Sequence, residues 1–444
     1  MQTNSLTNES VSKLFTRYLL PSICGTLVTS IYVLADSIII GKGIGTQALA
    51  ALNIVLPLFN IFFGNGLLFG VGGSVLMSIE RGAGDYKKGE CYYSIALVLN
   101  AIMCVLYTVL MLCFMTPMVE FLGATDVTMP YIKEYAPYVI IGMSFFSFSS
   151  FLQTFVRNDG APKLAMIAVI TGGILNIILD ILFVFPMQMG MKGAAIASVI
   201  GAAITVLILL LHFRSKKNGL HFNLKGFEPT YVINILKNGF TSFFVEVASG
   251  VLMFIFNLQI LRYIGDIGVG LYGVITNTVI IVTCLCNGIN QAAQPLISVN
   301  YGAGLTSRVE QVKKLGIKTS IGVCSGIALL GLMVPNLFTY IFIHPSEEIL
   351  ALSKVAIRTY FSGFFIMGIN MFIIGYFQST LKPMLSLVLC LARGCVLGIV
   401  FVYILPLFIG NIGIWVAMPL AELISLIAGM IYLKKENKAK EKSC

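Results

Sequence analysis

Charge is scarce in this chain. Only 11% of its 444 residues are Asp, Glu, Lys or Arg, against about 25% in a water-soluble globular protein, so a solvated globular fold is excluded for most of its length. Histidine is scarcer still: His212, His221 and His344 sit at helix ends or in loops, which leaves no imidazole at a membrane midplane to relay protons. The ten cysteines fall almost entirely in apolar runs, and the close pair Cys284 and Cys286 forms a C-x-C that fits neither a zinc site nor a redox pair. They read as small apolar packing residues. No cleavable signal peptide is expected, because the first ten residues are polar and the first apolar run is full length. That first helix is expected to be its own targeting signal.

What the chain has in abundance is apolar sequence, 57% of all residues. A bilayer core of roughly 30 Å takes about 20 apolar residues per helical crossing. Twelve stretches qualify: 18–41, 47–78, 91–114, 131–156, 163–186, 190–213, 231–262, 267–300, 315–340, 351–380, 384–408 and 411–433. The expected fold is therefore an all-α integral membrane protein of twelve transmembrane helices.

The net charge of +10 does not point to nucleic acid, because the basic residues segregate by side. With both termini on one face, that face collects 22 of the 29 Lys and Arg, among them Lys13, Arg17, Arg81, Arg157, Arg308 and the tail after Lys434. The other face holds six (Lys42, Lys133, Lys192, Arg262, Lys354, Arg358), and Arg393 lies inside the eleventh stretch. The positive-inside rule then predicts cytoplasmic N- and C-termini and a multi-pass protein of the cell membrane.

The chain repeats itself at a shift of 220 residues: Arg81-Gly82-Ala83-Gly84 aligns with Tyr301-Gly302-Ala303-Gly304, Gly45 with Gly265, Leu76 with Leu296, Ser78 with Ser298, Gly190 with Gly410, Gly193 with Gly413 and Ala197 with Ala417. Six helices per repeat is an even number, so both halves insert with the same orientation, an arrangement that in transporters places a binding cavity between them. The expected division is an N-terminal six-helix lobe over 1–213, a cytoplasmic linker over 214–230, a C-terminal six-helix lobe over 231–433 and a basic tail over 434–444. Gly64, Gly66, Gly70, Gly72 and Gly73 crowd the second helix after Pro57. They read either as close-packing positions or as a deformable stretch lining a path.

Four carboxylates lie within apolar runs: Asp36, Asp180, Glu246 and Glu422. Each costs about 2.5–3.5 kcal/mol near a bilayer centre on insertion scales, so such groups usually face a cavity and mark ion or substrate paths. Asn176 and Asp180 are four apart and share a helix face, and Ala194 and Ser198 repeat that spacing on the next helix. The repeat partners of Asp36, Asn176 and Asp180 are Phe256, Val396 and Val400, so the oxygen cluster exists in one half only. A structural network would have been duplicated, which favours an ion site over a polar packing network. Glu246 reads equally as a ligand for cationic substrates or a buried packing acid, and Glu422, in Met-Pro-Leu-Ala-Glu, as structural. Two carboxylates in an apolar setting cannot both ionise cheaply.

Ala35-Asp36 followed by Gly41, the Gly82-Ala83-Gly84 loop with its echo at 302–304, Arg157 through Gly160 to Pro162, Asn176-x-x-x-Asp180 and Gly193-Ala194-Ala195-Ile196-Ala197-Ser198 together resemble the multidrug and toxic compound extrusion (MATE) family. The resemblance covers nearly the whole chain. It implies two pseudo-symmetric six-helix lobes and export of cationic or amphipathic small molecules in exchange for Na⁺ or H⁺, without an enzymatic cofactor and as a monomer. It places the cation site on Asp36, Asn176, Asp180 and Ser198, with the Ala194 carbonyl available to complete an oxygen shell, a substrate acid at Glu246, and a hinge proline at Pro21. The sequence departs from members with a second ion site: its tenth helix offers only Asn370 and Gln378.

Three other readings are weaker. A major facilitator would share the helix count, but beside Gly84-Asp85 the arginines of its loop motif are missing. A lipid-linked saccharide flippase should line its cavity with basic residues, and Arg393 alone is a candidate. A membrane-embedded prenyltransferase would extend Asn176-x-x-x-Asp180 with a further acid to hold Mg²⁺, where the chain has Val184.

Overall fold

In the computed structural model, residues 6–342 and 347–441 are described; His344 and the last tail residues lie outside them. Among the described residues twelve helices are long and apolar enough to cross a membrane, labelled α1 Val11–Gly43, α2 Thr46–Gly82, α3 Tyr86–Cys113, α4 Met129–Asn158, α5 Pro162–Val184, α6 Gly190–Arg214, α7 Pro229–Tyr263, α8 Asp266–Gly302, α9 Thr306–Met333, α10 Ile349–Ser379, α11 Pro383–Ile409 and α12 Ile412–Lys435. Among the described residues there is no strand. This is the expected all-α membrane fold: a helix satisfies its own backbone N–H and C=O groups within one segment, without water.

The helices overrun the apolar stretches, mainly at their starts. α1 begins at Val11, α3 at Tyr86 and α9 at Thr306, because Lys, Arg and Glu are good helix formers and continue the hydrogen-bond ladder past the membrane edge. At α3 the start is fixed by Asp85, whose carboxylate accepts from Lys88 N at 3.0 Å as an N-cap. Prolines open α5 at Pro162, α7 at Pro229 and α11 at Pro383, where a missing N–H costs nothing.

One expected boundary is wrong. The ninth stretch does not run to 340: α9 ends at Met333, and Pro335–Phe342 is a separate short helix. Proline cannot donate the bond that would carry α9 onward. Met115–Phe121, between α3 and α4, is a second such helix, and it sits at the 220-residue counterpart of the first.

Backbone conformation repeats as well. Gly45 and Gly265, Gly84 and Gly304, and Gly190 and Gly410 all have positive φ, between 59° and 128°. Gly82 and Gly302 form a reciprocal crossing of α2 and α8. A Cβ at Gly82 would meet the Val299 carbonyl, one at Gly302 would meet the Ile79 carbonyl, and Ile79 and Val299 are themselves repeat partners.

The chain divides into two compact units, one of Met1–Val247 with Gln294–Val309, the other of Ala248–Ala293 with Glu310–Cys444. Among the described residues the first has two apolar cores. One gathers Ile40, Val55, Met143 and Ala194, the other Phe69, Tyr93, Phe155 and Leu209. The α2 glycines are contact points in it: Gly66 against Ser147 and Ser150 of α4, Gly70 against Phe151, Gly72 against Ile235 and Gly239 of α7, Gly73 against Ala96 and Phe155. Close packing therefore accounts for them. A buried amide network crosses the same helices, with Asn65 Nδ2 donating to Asn100 Oδ1 at 3.0 Å and to Ser147 Oγ at 3.1 Å. The second unit packs around Phe256, Tyr272, Phe361 and Trp415.

At the basic end of the first unit, Asp159 gathers donors from three separate segments. Arg81 Nη1 reaches its Oδ1 at 2.6 Å, Gly219 N reaches its Oδ2 at 2.8 Å, and His212 Nε2 lies 2.7 Å from Oδ2. Arg81 Nη2 also donates to the Gly219 carbonyl at 2.5 Å. The segment after α6 is thereby fastened to α2 and α4.

Candidate functional site

α1, α4, α5 and α6 of the first unit bring the predicted oxygens together. Asn176 and Asp180 share a face of α5, and Asn176 Nδ2 donates to Asp180 Oδ2 at 3.1 Å and across to Ser198 Oγ of α6 at 3.2 Å. Asp36 of α1 comes within hydrogen-bonding reach of Asp180. Asp180, Asn176 and Ala194 are buried, and Asp36 and Ser198 are half-buried.

The sequence reading missed Tyr135 of α4. Its fully buried ring carries the hydroxyl in among Asp36, Asp180 and Ser198. No sequence signal distinguishes it, since tyrosines are common in this chain and those of α4 read as ordinary amphipathic residues.

The cluster leaves buried oxygens without protein partners: Asp36 Oδ1, Asp180 Oδ1, Asn176 Oδ1 and the Tyr135 hydroxyl. Buried polar atoms are ordinarily satisfied. Two carboxylate oxygens, an amide oxygen and a phenolic oxygen are hard donors of the kind that suit a cation such as Na⁺, or a proton shared by the acids. Among the described residues no group of three or more His, Cys, Asp or Glu could hold a metal. That argues against a polycarboxylate site and leaves the mixed oxygen set.

A cavity adjoins this cluster within the same unit, lined by Thr29, Tyr32, Gln153, Asn176, Ser198 and Thr205 among others. It offers about 50 Å³ to the centres of water-sized atoms, where one water takes at least ~10–15 Å³. A few waters or a small, partly dehydrated ion fit. Asn176 and Ser198 belong to the cavity wall and to the carboxylate cluster at once.

The remaining predicted residues stand elsewhere. Glu246 lies on α7 against α2, its Cβ close to where a side chain at Gly64 would begin; the groups around the acid pair come from α1, α4, α5 and α6. Pro21 is buried within α1, which stays helical from Val11 to Gly43. In the second unit, the repeat partner of Asp36 is packed into apolar core: Phe256 is fully buried and stacks on Tyr272 at 5.6 Å. Arg393, the one basic residue that a flippase reading could use, is held by Glu422 at 2.5 Å.

Comparison with known proteins bears on the family and the fold. The MatE family profile matches twice, over residues 21–182 and 242–404, one match in each repeat. A protein named multidrug export protein MepA from Staphylococcus haemolyticus is 26% identical over 427 residues, covering 95% of this chain and 93% of its own. MepA of Staphylococcus aureus strain NCTC 8325 is 25% identical over 435 residues, covering 96% of this chain and 94% of its own. Among solved structures, an outward-facing multidrug resistance MATE transporter of the MOP superfamily superposes with a TM-score of 0.92 at 23% identity, covering 100% of this chain and 99% of its own. The chain belongs to the MatE family and is a multi-pass membrane transporter, not an enzyme.

Proposed function

We propose that this transporter exports cationic or amphipathic small molecules from the cell by antiport, driven by Na⁺ or H⁺ taken up at Asp36 and Asp180. The observation that carries the reading is the set of four buried, unpartnered oxygens on α1, α4 and α5. The names of the relatives, which are multidrug export proteins, support the direction and a range of drug-like substrates. Asn176, Ser198 and the Ala194 carbonyl complete the cation's shell, and Tyr135 joins them. The adjoining cavity gives the ion its approach.

In this reading the substrate binds from the cytoplasm while the acids hold no ion, and ion entry from outside releases it. An ion drives the change only through its differential affinity for the two states, and that coupling is reciprocal. Glu246 recognises the positive charge of the substrate, and apolar side chains supply most of its binding. Pro21 gives α1 the hinge. The two six-helix lobes, 1–213 and 231–433, move about the linker 214–230, with both termini cytoplasmic and the monomer as the working unit.

The test is efflux in reconstituted vesicles. Asp36→Asn and Asp180→Asn should each abolish substrate movement driven by either a Na⁺ or a proton gradient, while equilibrium substrate binding survives. Na⁺ and protons should compete, because both use the same carboxylates. Single mutants that still pump against a substrate gradient would move the coupling site elsewhere. Glu246→Gln should weaken cationic substrates more than neutral ones of similar size, and equal losses would return Glu246 to a packing role.

A further inference from the structure

The second unit holds a polar cluster for which the export scheme has no use. Glu422 of α12 is buried. Its Oε1 accepts from Arg393 Nε of α11 at 2.5 Å, and its Oε2 and main-chain carbonyl accept from Asn370 Nδ2 of α10 at 2.6 and 2.8 Å. Arg393 lies in a π-helical turn, Ala392–Val396. Such turns carry an extra residue and frequently occur at functional sites.

The repeat shows what these side chains replace. At a shift of 220, Asn370, Arg393 and Glu422 correspond to Ser150, Gly173 and Ala202. The openings of α5 and α11 at Pro162 and Pro383 fit a shift of 221 better, which pairs Asn370 with Ser149, Arg393 with Gly172 and Glu422 with Gly201. The choice does not matter, because Ser149, Ser150, Gly172, Gly173, Gly201 and Ala202 all line the first unit's cavity. Where the first unit has small residues around open space, the second has a guanidinium, a carboxylate and an amide bonded to one another.

We propose that the second unit contains a binding site for a compact organic cation, formed by Glu422 and Asn370 at the repeat position of the first unit's cavity, and that its resident ligand is the side chain of Arg393. A tethered cation cannot dissociate. The second unit is therefore permanently loaded, and exchange of small cations is confined to the first. A buried acid with one amide donor needs a counter-charge, and a guanidinium brings a directed N–H, here Nε on Oε1, that a spherical cation lacks.

The experiment replaces Arg393 with the residue at its repeat position, glycine under either shift. Purified R393G should bind ethylguanidinium saturably, one per chain, at least tenfold more tightly than the wild type, by equilibrium dialysis or calorimetry. Tetramethylammonium, with equal charge and no N–H donors, should bind R393G more weakly than ethylguanidinium. R393G/E422A, which restores both small residues of the first repeat and buries no charge, should lose the binding. Should R393G not purify as monodisperse protein, ethylguanidinium at millimolar concentration should restore monodispersity, and failure to do so counts against the site. Binding by R393G no tighter than by the wild type, or equal binding by R393G/E422A, would overturn the proposal. The readout needs no transport, so it stands whether or not Asp36 and Asp180 couple export to an ion.

Discussion

Asp159→Asn removes one charge, keeps the side chain's shape, and should release the segment after α6. The carboxylate takes Arg81 on Oδ1 at 2.6 Å and the Gly219 amide on Oδ2 at 2.8 Å. An asparagine has a single acceptor oxygen, so however its amide is turned, its NH₂ faces either the Arg81 guanidinium or the Gly219 N–H. One charge-assisted bond, worth about 1.5–3 kcal/mol, is lost, and Arg81 keeps a buried charge without its partner. Breaking a buried pair costs about 3–5 kcal/mol; because Arg81 retains 9% side-chain exposure, we take the lower bound, about 3 kcal/mol. At 1.36 kcal/mol per decade that is on the order of a hundredfold in the equilibrium for local opening. Lys216 and Lys217 are exposed beside Gly219, so tryptic cleavage of native protein in detergent reads that opening directly, and the thermal midpoint of the same sample reads any global loss. Asp85→Asn is the control: Asp85 caps α3 through Lys88 N alone, which is worth about 1 kcal/mol, and should leave the cleavage rate after α6 unchanged. If D159N is cut no faster than the wild type and melts at the same temperature, the carboxylate does not hold this segment and the argument from its geometry fails.

Gly82→Val and Gly302→Val should each force α2 and α8 apart where a Cβ meets a backbone carbonyl; overpacking of this kind costs about 1–3 kcal/mol, read as a lower thermal midpoint, and comparable losses for the two would confirm the reciprocal crossing. Asn65→Leu removes two buried hydrogen bonds, to Asn100 Oδ1 and to Ser147 Oγ, while Ser147 Oγ still donates to Asn100 Oδ1 at 2.9 Å; at about 1 kcal/mol net per bond it should destabilise by about 1–2 kcal/mol, and an unchanged midpoint would refute a stabilising role for Asn65.

The twelve crossings were legible because each is an apolar run of membrane length closed by charge, glycine or proline. The two short helices were not, since each is too short to stand out as an apolar run of its own: Met115–Phe121, with Thr116, Pro117 and Glu120, reads as the start of the loop after the third crossing, and Pro335–Phe342 as the end of the ninth crossing. Asp36, Asn176, Asp180 and Ser198 were legible because carboxylates inside apolar runs are rare and the spacing on α5 fixes their direction. Nothing in the sequence drew attention to Tyr135, whose hydroxyl matters only because α4 packs where α1, α5 and α6 converge. Arg393 and Glu422 were each visible, yet no spacing indicates that α10, α11 and α12 bring them to Asn370.

Absence from the other repeat, taken as a mark of function for the acid cluster, is not sufficient by itself. Arg81, Asp159 and His212 correspond to Tyr301, Ser379 and Tyr432, and Arg393 and Glu422 correspond to small residues, so three polar networks are each confined to one repeat. Their hydrogen bonds separate them. Asp159 has both carboxylate oxygens engaged by donors from three segments, and Glu422 likewise has both oxygens taken, by Arg393 and Asn370. The Asp36 and Asp180 cluster alone among the three leaves carboxylate oxygens without a protein partner. A saturated network holds helices together whatever passes through the protein. An unsaturated one, beside a cavity, changes its energy with what enters, and a bound species shifts a conformational equilibrium only through such a difference in interaction.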